Sequence, residues 1–526
     1  MRFEPIDLSV EELEQLVEQT GIGPLPPEGQ RKLGAAVETL KTVAELLAER
    51  DTTIQQLRDL LLGQRTTEKT KKVLGDLQPE TDNGEASIGK KRGERKGHGR
   101  NGAARYAGAP KVRVGHPALK PKDRCPECLK GKVYLLDQAR SLVRIKGQPP
   151  LEATVYELEA LRCNLCGEVY TPSPPAGVGD EKYDETATSM IALLKYGTGV
   201  PFKRMERLES QLGIPLPAAT AWEIVQAAAG VLAPVGEELL RQAAQGEVVH
   251  NDDTSMRILH FVREASDSRT GLFTSGIVSL YGGHRIALFF TGRQHAGENL
   301  ADLLRRRAGE LGPPIQMCDA LTRNAPGELQ VILANCLAHA RRHFVDVANS
   351  FPAECRYVLE TLGEVFHQDE LARGQQMSPE ERLRLHKQHS LPLMEKLHAW
   401  SSEQFDARKV EPNSGLGKAI RYLLKHWQEL TLFLRLQGAP IDNNVCERAL
   451  KKAILNRKNA LFYRTKNGAR VGDLFMSLIY TAELCGASPF HYLTELQRQG
   501  ADLARAPARW LPWNYRITML ESGIAA

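Results

Sequence analysis

The stretch EVVHNDDTSMRILHFV, from Glu247 to Val262, sets two acids side by side in an apolar run with the composition of a β-strand. Side chains alternate along a strand, so Asp252 and Asp253 point to opposite faces and at most one of them can face a shared site. Burying either carboxylate costs free energy unless a positive group binds it. The stretch therefore predicts a strand that carries one functional acid.

Further strands follow this stretch. The segments LFTSGIVSLY and HRIALFFTG read as two strands, with turns at Gly271 and at Gly282-Gly283. HAGENLADLLRRRAGELG then reads as a helix, PPIQMCDAL as a short strand, and LQVILANCLAHARRHF as a strand that runs into a helix. This order predicts an α/β fold with a mixed sheet and helices packed on it, as in ribonuclease-H-like folds.

Helical patterns lie on both sides of these strands. From about Val345 to Gln437 the chain reads as helical, and after a Gly-Ala-Pro break the segment IDNNVCERALKKAILNRKNALFY opens a new helix, with Asp442 or Asn443 as its N-cap. Before the strands, two apolar-periodic segments are separated by a Gly- and Pro-rich turn, and Thr220 or a neighbour caps the second of them. They are either a helix-turn-helix unit that reads DNA or two core helices.

The first hundred residues have a different character. Leu33, Leu40, Leu47, Ile54 and Leu61 recur every seven positions, which indicates either a self-associating coiled coil or an amphipathic helix folded on its own chain. The following basic, Gly-rich segment GKKRGERKGHGR has no apolar periodicity. It predicts a flexible linker, acting either as a spacer or as an arm that contacts nucleic acid.

Two Cys-x2-Cys pairs, Cys125 with Cys128 and Cys163 with Cys166, lie on β-prone segments. Four thiolates on two such turns suit tetrahedral Zn²⁺, and they leave no open coordination position. We therefore expect a structural zinc ion.

Composition sets broad limits on the function. The chain has 526 residues, 42% hydrophobic and 25% charged, and a net charge of +5, which is typical of a soluble, mildly basic protein. It contains no run of about 18 apolar residues, so no membrane span is expected. The polar start is unlike a signal peptide, which favours the cytoplasm and reduced cysteines. Neither GxxxxGK[ST] nor GxGxxG after a strand is present, which argues against nucleotide-driven motors and dinucleotide enzymes.

Three acids are spaced as a metal site requires. Asp252 lies on the first strand, Asp319 at the end of a later strand and Glu447 early on a helix, so a helix laid over the sheet can bring them together. Carboxylates can hold two Mg²⁺ (or Mn²⁺) ions for in-line displacement at a phosphodiester. Alternatively, Asp319 starts a turn and Glu447 pairs on the surface with Lys451.

Three segments resemble the DDE transposases of insertion sequence family 66, of the TnpC type. They are HNDDTSMRIL, CLAHARRHF and PIDNNVCERALKKAILNRKNALF. The resemblance extends from about Leu33 to Tyr515: the heptads resemble the N-terminal leucine zipper of that family, the four cysteines its zinc-binding domain and LPWNY its C-terminal tail. It implies a ribonuclease-H-like catalytic domain with a large helical insertion, preceded by coiled-coil, zinc-ribbon-like and helical DNA-binding domains.

The resemblance also assigns roles to residues. Asp252, Asp319 and Glu447 match the three catalytic acids, and Asp253, in the place of a glutamate, becomes the neighbour that points away toward backbone or solvent. The sequence departs from the family at Asp319-Ala320-Leu321, which is usually Asp-Gly-Tyr, and has leucine in place of tryptophan in Cys336-Leu337-Ala338-His339.

Basic and polar residues cluster by these motifs and suit phosphate contacts. The residues expected to bind DNA are His339, Arg341, Arg342, Asn443, Asn444, Arg448, Lys451, Arg457 and Lys458. A solvated helix face is the alternative for Lys451, and a satisfied core histidine is the alternative for His339. Cys336, Cys446 and Cys485 read as small buried apolar residues.

The expected domains are a coiled coil (1–65), a basic linker (66–110), a zinc-binding domain (111–178), a helical segment (179–245), a first catalytic part (246–345), a helical insertion (346–439), a second catalytic part (440–490) and a tail (491–526). The expected activity is metal-dependent DNA cleavage and strand transfer. The alternatives are a non-catalytic zinc-dependent DNA-binding protein and a simple nuclease. Expected partners are the terminal repeats of the element, target DNA, a second copy of the chain through the coiled coil, and accessory transposition proteins.

Overall fold

The computed structural model describes residues 117–134, 149–162, 164, 166, 169–179, 181–262 and 269–524. The predicted coiled coil, the basic linker and Cys163 lie outside these residues, and for them the predictions stand as made. The chain divides into two compact units. The larger unit contains the described residues of 180–205 and 217–526, and the smaller unit contains those of 79–179 and 206–216.

Nine strands and fifteen α-helices lie within the described residues. The strands are β1 (Leu161–Arg162), β2 (Val169–Tyr170), β3 (Val248–Ser255), β4 (Ile258–His260), β5 (Phe273–Tyr281), β6 (His284–Gly292), β7 (Ile315–Cys318), β8 (Ile332–Asn335) and β9 (Tyr463–Thr465). The first helices are α1 (Glu185–Ala192), α2 (Phe202–Gln211), α3 (Ala218–Ala244), α4 (Ala296–Leu304) and α5 (Leu337–Val347). The helical segment that follows contains α6 (Pro352–Gly374), α7 (Pro379–Leu385), α8 (Leu391–Asp406), α9 (Gly415–Lys425) and α10 (Trp427–Leu430). The last helices are α11 (Asn444–Ala460), α12 (Lys466–Leu484), α13 (Pro489–Arg498), α14 (Gly500–Arg505) and α15 (Tyr515–Glu521).

A five-stranded mixed sheet organises the larger unit. Its strand order is β6-β5-β3-β7-β8, in which β5 is antiparallel to both β6 and β3, and β7 is parallel to both β3 and β8. The strands predicted after Gly271 and after Gly282-Gly283 are confirmed, and both glycines of the second turn have positive φ. The predicted mixed sheet with packed helices is confirmed.

The stretch from Glu247 to Val262 differs from its prediction as one continuous strand. β3 ends at Ser255, and the chain continues as β4, which pairs in parallel with β9 in a separate two-stranded sheet. Met256 and Ile258 are buried there with Tyr463 and Ala469. The strand breaks because this small apolar cluster offers burial that a straight strand would not reach.

The segment after α5 is helical as predicted, and its place as an insertion in the catalytic domain stays a prediction. Its core is continuous with α5 and β7 through apolar residues such as Phe344, Leu362, Ile420 and Phe433. Thr220 or a neighbour is predicted to cap the helix observed as α3. The N-cap of α3 is instead Pro217. Thr220 lies inside the first turn.

α3 spans 27 residues, and its length and apolar composition alone would suffice for a membrane span. This differs from the expectation drawn from the sequence. Long core helices of soluble proteins pass the same test, and Val225, Leu232, Val235 and Leu239 of α3 are fully buried in the larger unit. The absence of a membrane partner stays a prediction.

α12 covers the edge strand β6 through three side chains spaced four residues apart. Ser477 Oγ and Thr481 Oγ1 each accept a hydrogen bond of 3.0 Å, from the backbone N–H groups of Phe289 and Ala287. Asp473 Oδ2 accepts the third, from Thr291 N at 2.7 Å. These contacts satisfy donors that an edge strand would otherwise expose, and they fix α12 on this side of the sheet.

Candidate active site

Asp252 lies near the end of β3, in the middle of the sheet. Its Oδ1 accepts a hydrogen bond of 2.8 Å from the backbone N–H of Asp253. Burial raises the pKa of Asp252 to about 7, and the negative charges of Asp319 and Glu447 act in the same direction. Asp252 therefore lies close enough to Asp319 and to Glu447 for their charges to act on its carboxyl group.

Asp319 follows directly after β7, which pairs in parallel with β3. Its Oδ1 accepts a hydrogen bond of 3.3 Å from the backbone N–H of Leu321 and a second from the side-chain amide of Asn324. These contacts hold the carboxylate at the carboxyl end of the strand. The turn that is the alternative for Asp319 is present, and the catalytic role of Asp319 stays a prediction.

Glu447 lies in the first turn of α11, whose N-cap is Asn443 as predicted. Asn443 is fully buried and ties this helix to two other elements. Its Nδ2 donates to Asn251 O at 3.1 Å, its Oδ1 lies 3.1 Å from His250 Nδ1, and its backbone N donates to Cys336 Sγ at 3.2 Å. Burial lowers the pKa of His250 to about 4, so this neutral imidazole donates to the amide oxygen.

A glycine allows α11 to approach the sheet beside Asp252. Gly276 on β5 lies opposite Asp252, and the Cys446 thiol donates to Gly276 O at 3.2 Å. A Cβ at Gly276 would come within 3.0 Å of Leu450. Sequence reasoning missed this residue, although a glycine inside a predicted strand is a signal for close backbone approach.

His339, from the start of α5, faces the third acid. Its Nε2 lies 3.8 Å from Glu447 Oε1, and Glu447 Oε1 and His339 Nδ1 are both buried without a hydrogen-bond partner among the described residues. Cys336 completes a group whose possible ligand atoms lie within 4.8 Å of one another. Burial raises the pKa of the Cys336 thiol to about 12.

The unsatisfied oxygen of Glu447 and the crowded carboxylates of Asp252 and Asp319 suit a divalent cation. Oxygen ligands of this type are those that Mg²⁺ and Mn²⁺ prefer. Buried carboxylates that repel one another are costly unless a positive charge joins them. The donor set therefore fits the metal that the sequence predicts.

Asp253 points to the other side of the strand, and its side chain is 2% exposed. Its Oδ2 lies 2.8 Å from His295 Nδ1 and accepts a weak hydrogen bond of 3.4 Å from Ala296 N, at the start of α4. Its Oδ1 lies 3.4 Å from Arg323. Asp253 points away from Asp252, and its partners are the backbone N–H of Ala296, an imidazole and a guanidinium rather than solvent.

The residues predicted to bind DNA divide by burial. Arg448, Lys451 and Lys458 are exposed on α11, whereas Arg341 and Asn443 are buried. The side chain of Asn443 is fully buried and bound within the protein, which places it away from the accessible surface, and the DNA contact there stays a prediction. Arg341 is 92% buried, which likewise removes it from the accessible surface.

The four remaining members of that group are partly buried or make contacts between elements. Arg457 Nη1 donates to Thr254 Oγ1 at 2.9 Å and to Ser255 Oγ at 2.8 Å, and so joins the end of α11 to the end of β3. Asn444 donates through Nδ2 to Asp442 Oδ2 at 2.8 Å. His339 and Arg342 are partly buried.

The three cysteines expected to be small buried residues follow this expectation in two cases. Cys336 and Cys446 are fully buried. Cys485 is partly exposed, because it lies at the C-terminal end of α12, where the helix leaves the core.

In the smaller unit, the first cysteine pair forms a tight turn. Cys125 N donates to Gly131 O at 2.8 Å, and Gly131 N donates to Cys128 Sγ at 3.3 Å. The hydrogen bond from Gly131 is the largest cause of the lowered pKa of Cys128. A thiolate stabilised by backbone N–H groups suits Zn²⁺. Cys166 is exposed, and the complete set of four ligands stays a prediction.

Comparison with known proteins provides an independent line of evidence. The model of the family described as "Transposase IS66 family" matches residues 182–471, which is more than half of the chain. Among similar proteins of Sinorhizobium fredii, the "Uncharacterized protein y4jD" is 26% identical over 480 residues, covering 84% of this chain and 88% of the relative. The "Uncharacterized protein y4hP" is 26% identical over 427 residues, covering 76% and 74%.

Proposed function

Because the chain belongs to the IS66 family of transposases, we propose that it cleaves DNA strands at the ends of an insertion sequence and joins them to target DNA. The observation that carries this proposal is the interaction of Asp252 with Asp319 and Glu447. The three acids lie far apart in the sequence: Asp252 on β3, Asp319 directly after β7 and Glu447 on α11. We further propose that this sheet is ribonuclease-H-like. Its three antiparallel strands followed by two parallel ones support that assignment.

Asp252, Asp319 and Glu447 would hold two divalent cations, Mg²⁺ or Mn²⁺. When bound, such ions stabilise the negative charge that develops on a phosphodiester during in-line displacement and lower the pKa of an attacking water. In the first reaction, the oxygen of water attacks phosphorus, the P–O3′ bond breaks, and a free 3′-OH results. In the second, that 3′-OH attacks a phosphorus of target DNA, the new ester bond forms, and a target 3′-oxygen leaves and takes up a proton.

The protein groups around the acids set their geometry. Asn443 fixes the first turn of α11 against β3 and α5, and Gly276 lets that helix lie close to Asp252. His339 is a positioning residue, since its imidazole is 3.8 Å from the carboxylate of Glu447. Arg457 keeps the end of β3 attached to α11. Together they preorganise the carboxylates before DNA arrives.

The accessory parts of the chain follow from the same proposal. The four cysteines would hold a structural zinc ion in a domain that binds DNA at the element ends, and the heptads would pair two copies of the chain. The exposed cations Arg448, Lys451 and Lys458 would contact phosphates. Terminal repeats, target DNA and accessory transposition proteins are the proposed partners.

A strand-transfer assay with a supercoiled target plasmid tests the proposal. The wild-type chain is expected to join a labelled element end to the plasmid in the presence of Mg²⁺, whereas Asp252→Ala and Glu447→Ala are expected to join none. Asp302→Asn, which changes an exposed carboxylate on α4, is the control and should join as wild type does. Cutting without joining would reduce the proposal to a nuclease, and equal joining by both alanine variants would overturn it.

A further inference from the structure

A polar cavity of about 400 Å³ opens at the end of β6. We call it the edge pocket; Phe261, Arg293, Asn299, Lys466, Arg470 and Asp473 are among the residues that line it. None of these residues belongs to the proposed catalytic group. Three of the six carry a positive charge, and one carries an acid.

The aromatic ring of Phe261 positions two of the cations. The guanidinium carbon of Arg293 lies 5.1 Å from the ring centroid, and Lys466 Nζ lies 6.0 Å from it. Cation–π contacts of this kind restrict the side chains of these two residues. Lys466 is the first residue of α12, and Arg470 is one turn later on the same face, so the partial positive charge of the helix start adds to theirs.

The acid of the pocket is turned toward the protein. Asp473 Oδ2 accepts from Thr291 N, and Asp473 Oδ1 accepts from Thr291 Oγ1, both at 2.7 Å. Burial raises the pKa of Asp473 to about 7, so a fraction of this carboxyl is neutral near pH 7. The pocket therefore presents cations toward its mouth, where both Lys466 and Arg470 are exposed, and carries its acid in the wall.

The edge pocket and the three acids lie at the same end of the sheet. Strand pairing puts Gly292 opposite Phe273 and Phe273 opposite Ser255, so the pocket shares a row with the last residue of β3. Three residues along a strand and two strand spacings give about 14 Å between Asp252 and this row. That is roughly four base-pair steps of duplex DNA at ~3.4 Å each.

One basic side chain lies between the two places. Arg457 is anchored at Thr254 and Ser255, in the row that leads from Asp252 to the pocket. A DNA strand held at the acids would thus meet positive charge on its way to the edge pocket. A site for a free phosphate ion would not need a basic residue between itself and the catalytic acids.

We propose that the edge pocket binds a backbone phosphate of the same DNA strand that the catalytic acids hold, a few nucleotides from the reacting phosphate. This inference rests on the proposed function, because DNA is the substrate. Arg293, Lys466 and Arg470 supply charge-assisted hydrogen bonds to the phosphate oxygens, and the contact carries no sequence information. The pocket thereby fixes the register of the strand relative to Asp252.

Fluorescence anisotropy with a labelled 30-base-pair duplex and the full chain, without added Mg²⁺, tests this inference. The double variant Lys466→Gln/Arg470→Gln is expected to bind at least tenfold more weakly at low salt. Loss of this one phosphate contact should reduce the slope of log K against log salt by about 0.9. The conservative Lys466→Arg/Arg470→Lys variant should bind as wild type does, and unrelated duplex sequences should show the same changes.

A matched charge change elsewhere provides the control. Lys387→Gln/Lys396→Gln removes two exposed cations from the helical insertion and should leave the affinity within twofold. The inference is overturned if the pocket variant binds like this control while its circular dichroism melting curve equals that of wild type. It is also overturned if inorganic phosphate, titrated into the DNA complex, has the same effect on wild type and on the pocket variant.

The binding readout separates this inference from the proposed function. If wild type cuts no DNA but the pocket variant still binds more weakly, the pocket stands and the transposase proposal fails. If wild type cuts and joins DNA while the pocket variant binds and cuts equally well, the pocket inference fails alone.

Discussion

Asp252 on β3 lies directly opposite Gly276 on β5, at the place where α11 crosses the sheet. Since Cys446 donates to Gly276 O at 3.2 Å, the helix residue next to Glu447 is held against the strand next to Asp252. Gly276, which has no side chain, therefore sets how closely Glu447 approaches Asp252.

Gly276→Ala and Gly276→Val should push α11 away from β5 in increasing order. An added Cβ would come within 3.0 Å of Leu450, and overpacking of this kind costs about 1–3 kcal/mol. Misplacing Glu447 should lower the DNA cleavage rate by on the order of 10–100-fold. Single-turnover cleavage and chemical denaturation measure the two effects. Gly230→Ala, on α3 with open space around it, is the control. Unchanged cleavage by the valine variant would refute this role.

Asn443→Ala should destabilise the larger unit and slow cleavage together. The substitution leaves His250 Nδ1 and Asn251 O unpaired in a buried place, which costs about 1–3 kcal/mol for each group. Urea denaturation measures the loss. DNA affinity should change little, because Asn443 is buried, and Asn467→Ala, at an exposed position on α12, should alter neither property. A large loss of affinity with full stability would instead restore the DNA contact expected from the sequence.

The carboxyl of Asp473 should make stability depend on pH. Burial raises its pKa in the folded chain from the ordinary 3.8 to about 7, so the folded chain binds more protons than the unfolded chain between these two values. The stability it contributes is complete below about pH 4 and is lost as the pH rises through about 7. Between pH 5 and 7 the unfolding free energy of wild type should therefore fall relative to that of Asp473→Asn, by up to about 1.4 kcal/mol per pH unit. A flat difference across this range would contradict the assignment.

Zinc removal should affect only the smaller unit. Elemental analysis of the purified chain is expected to find one zinc per chain, and Cys128→Ser should lower this content. Protease digestion after treatment with a chelator should cut within 111–178 and leave 246–490 intact, because the mixed sheet has its own core. Protection of the cysteine segment in the absence of metal would contradict the zinc assignment.

The sequence predicted most of the sheet but not the break in its first strand. β5 and β6 are apolar runs bounded by glycines, so their period and ends are local signals. The departure of β4 depends on β9, about 200 residues later in the chain, and no local pattern records that pairing. The same is true of the ladder from Asp473 to Thr481, which joins a helix to an edge strand.

The site was predictable to a similar degree. Strand parity separated Asp252 from Asp253 but could not choose between them. The choice depends on neighbours from elsewhere in the chain, namely Asp319 and Glu447 on one side and His295 and Arg323 on the other. Asn443 was recognised as an N-cap, whereas its burial follows from packing that its own segment does not encode.

The identity of Asp319 is the most direct test of the account, since the sequence departs from the family motif immediately after it. Single-turnover cleavage of a labelled element end with Mg²⁺ should fall by at least about 100-fold in Asp319→Asn, as when one preorganised electrostatic group is lost from a transition state. DNA affinity should remain within twofold, and Asp302→Asn should cleave at the wild-type rate. Cleavage by Asp319→Asn within threefold of wild type would contradict the proposed set of Asp252, Asp319 and Glu447.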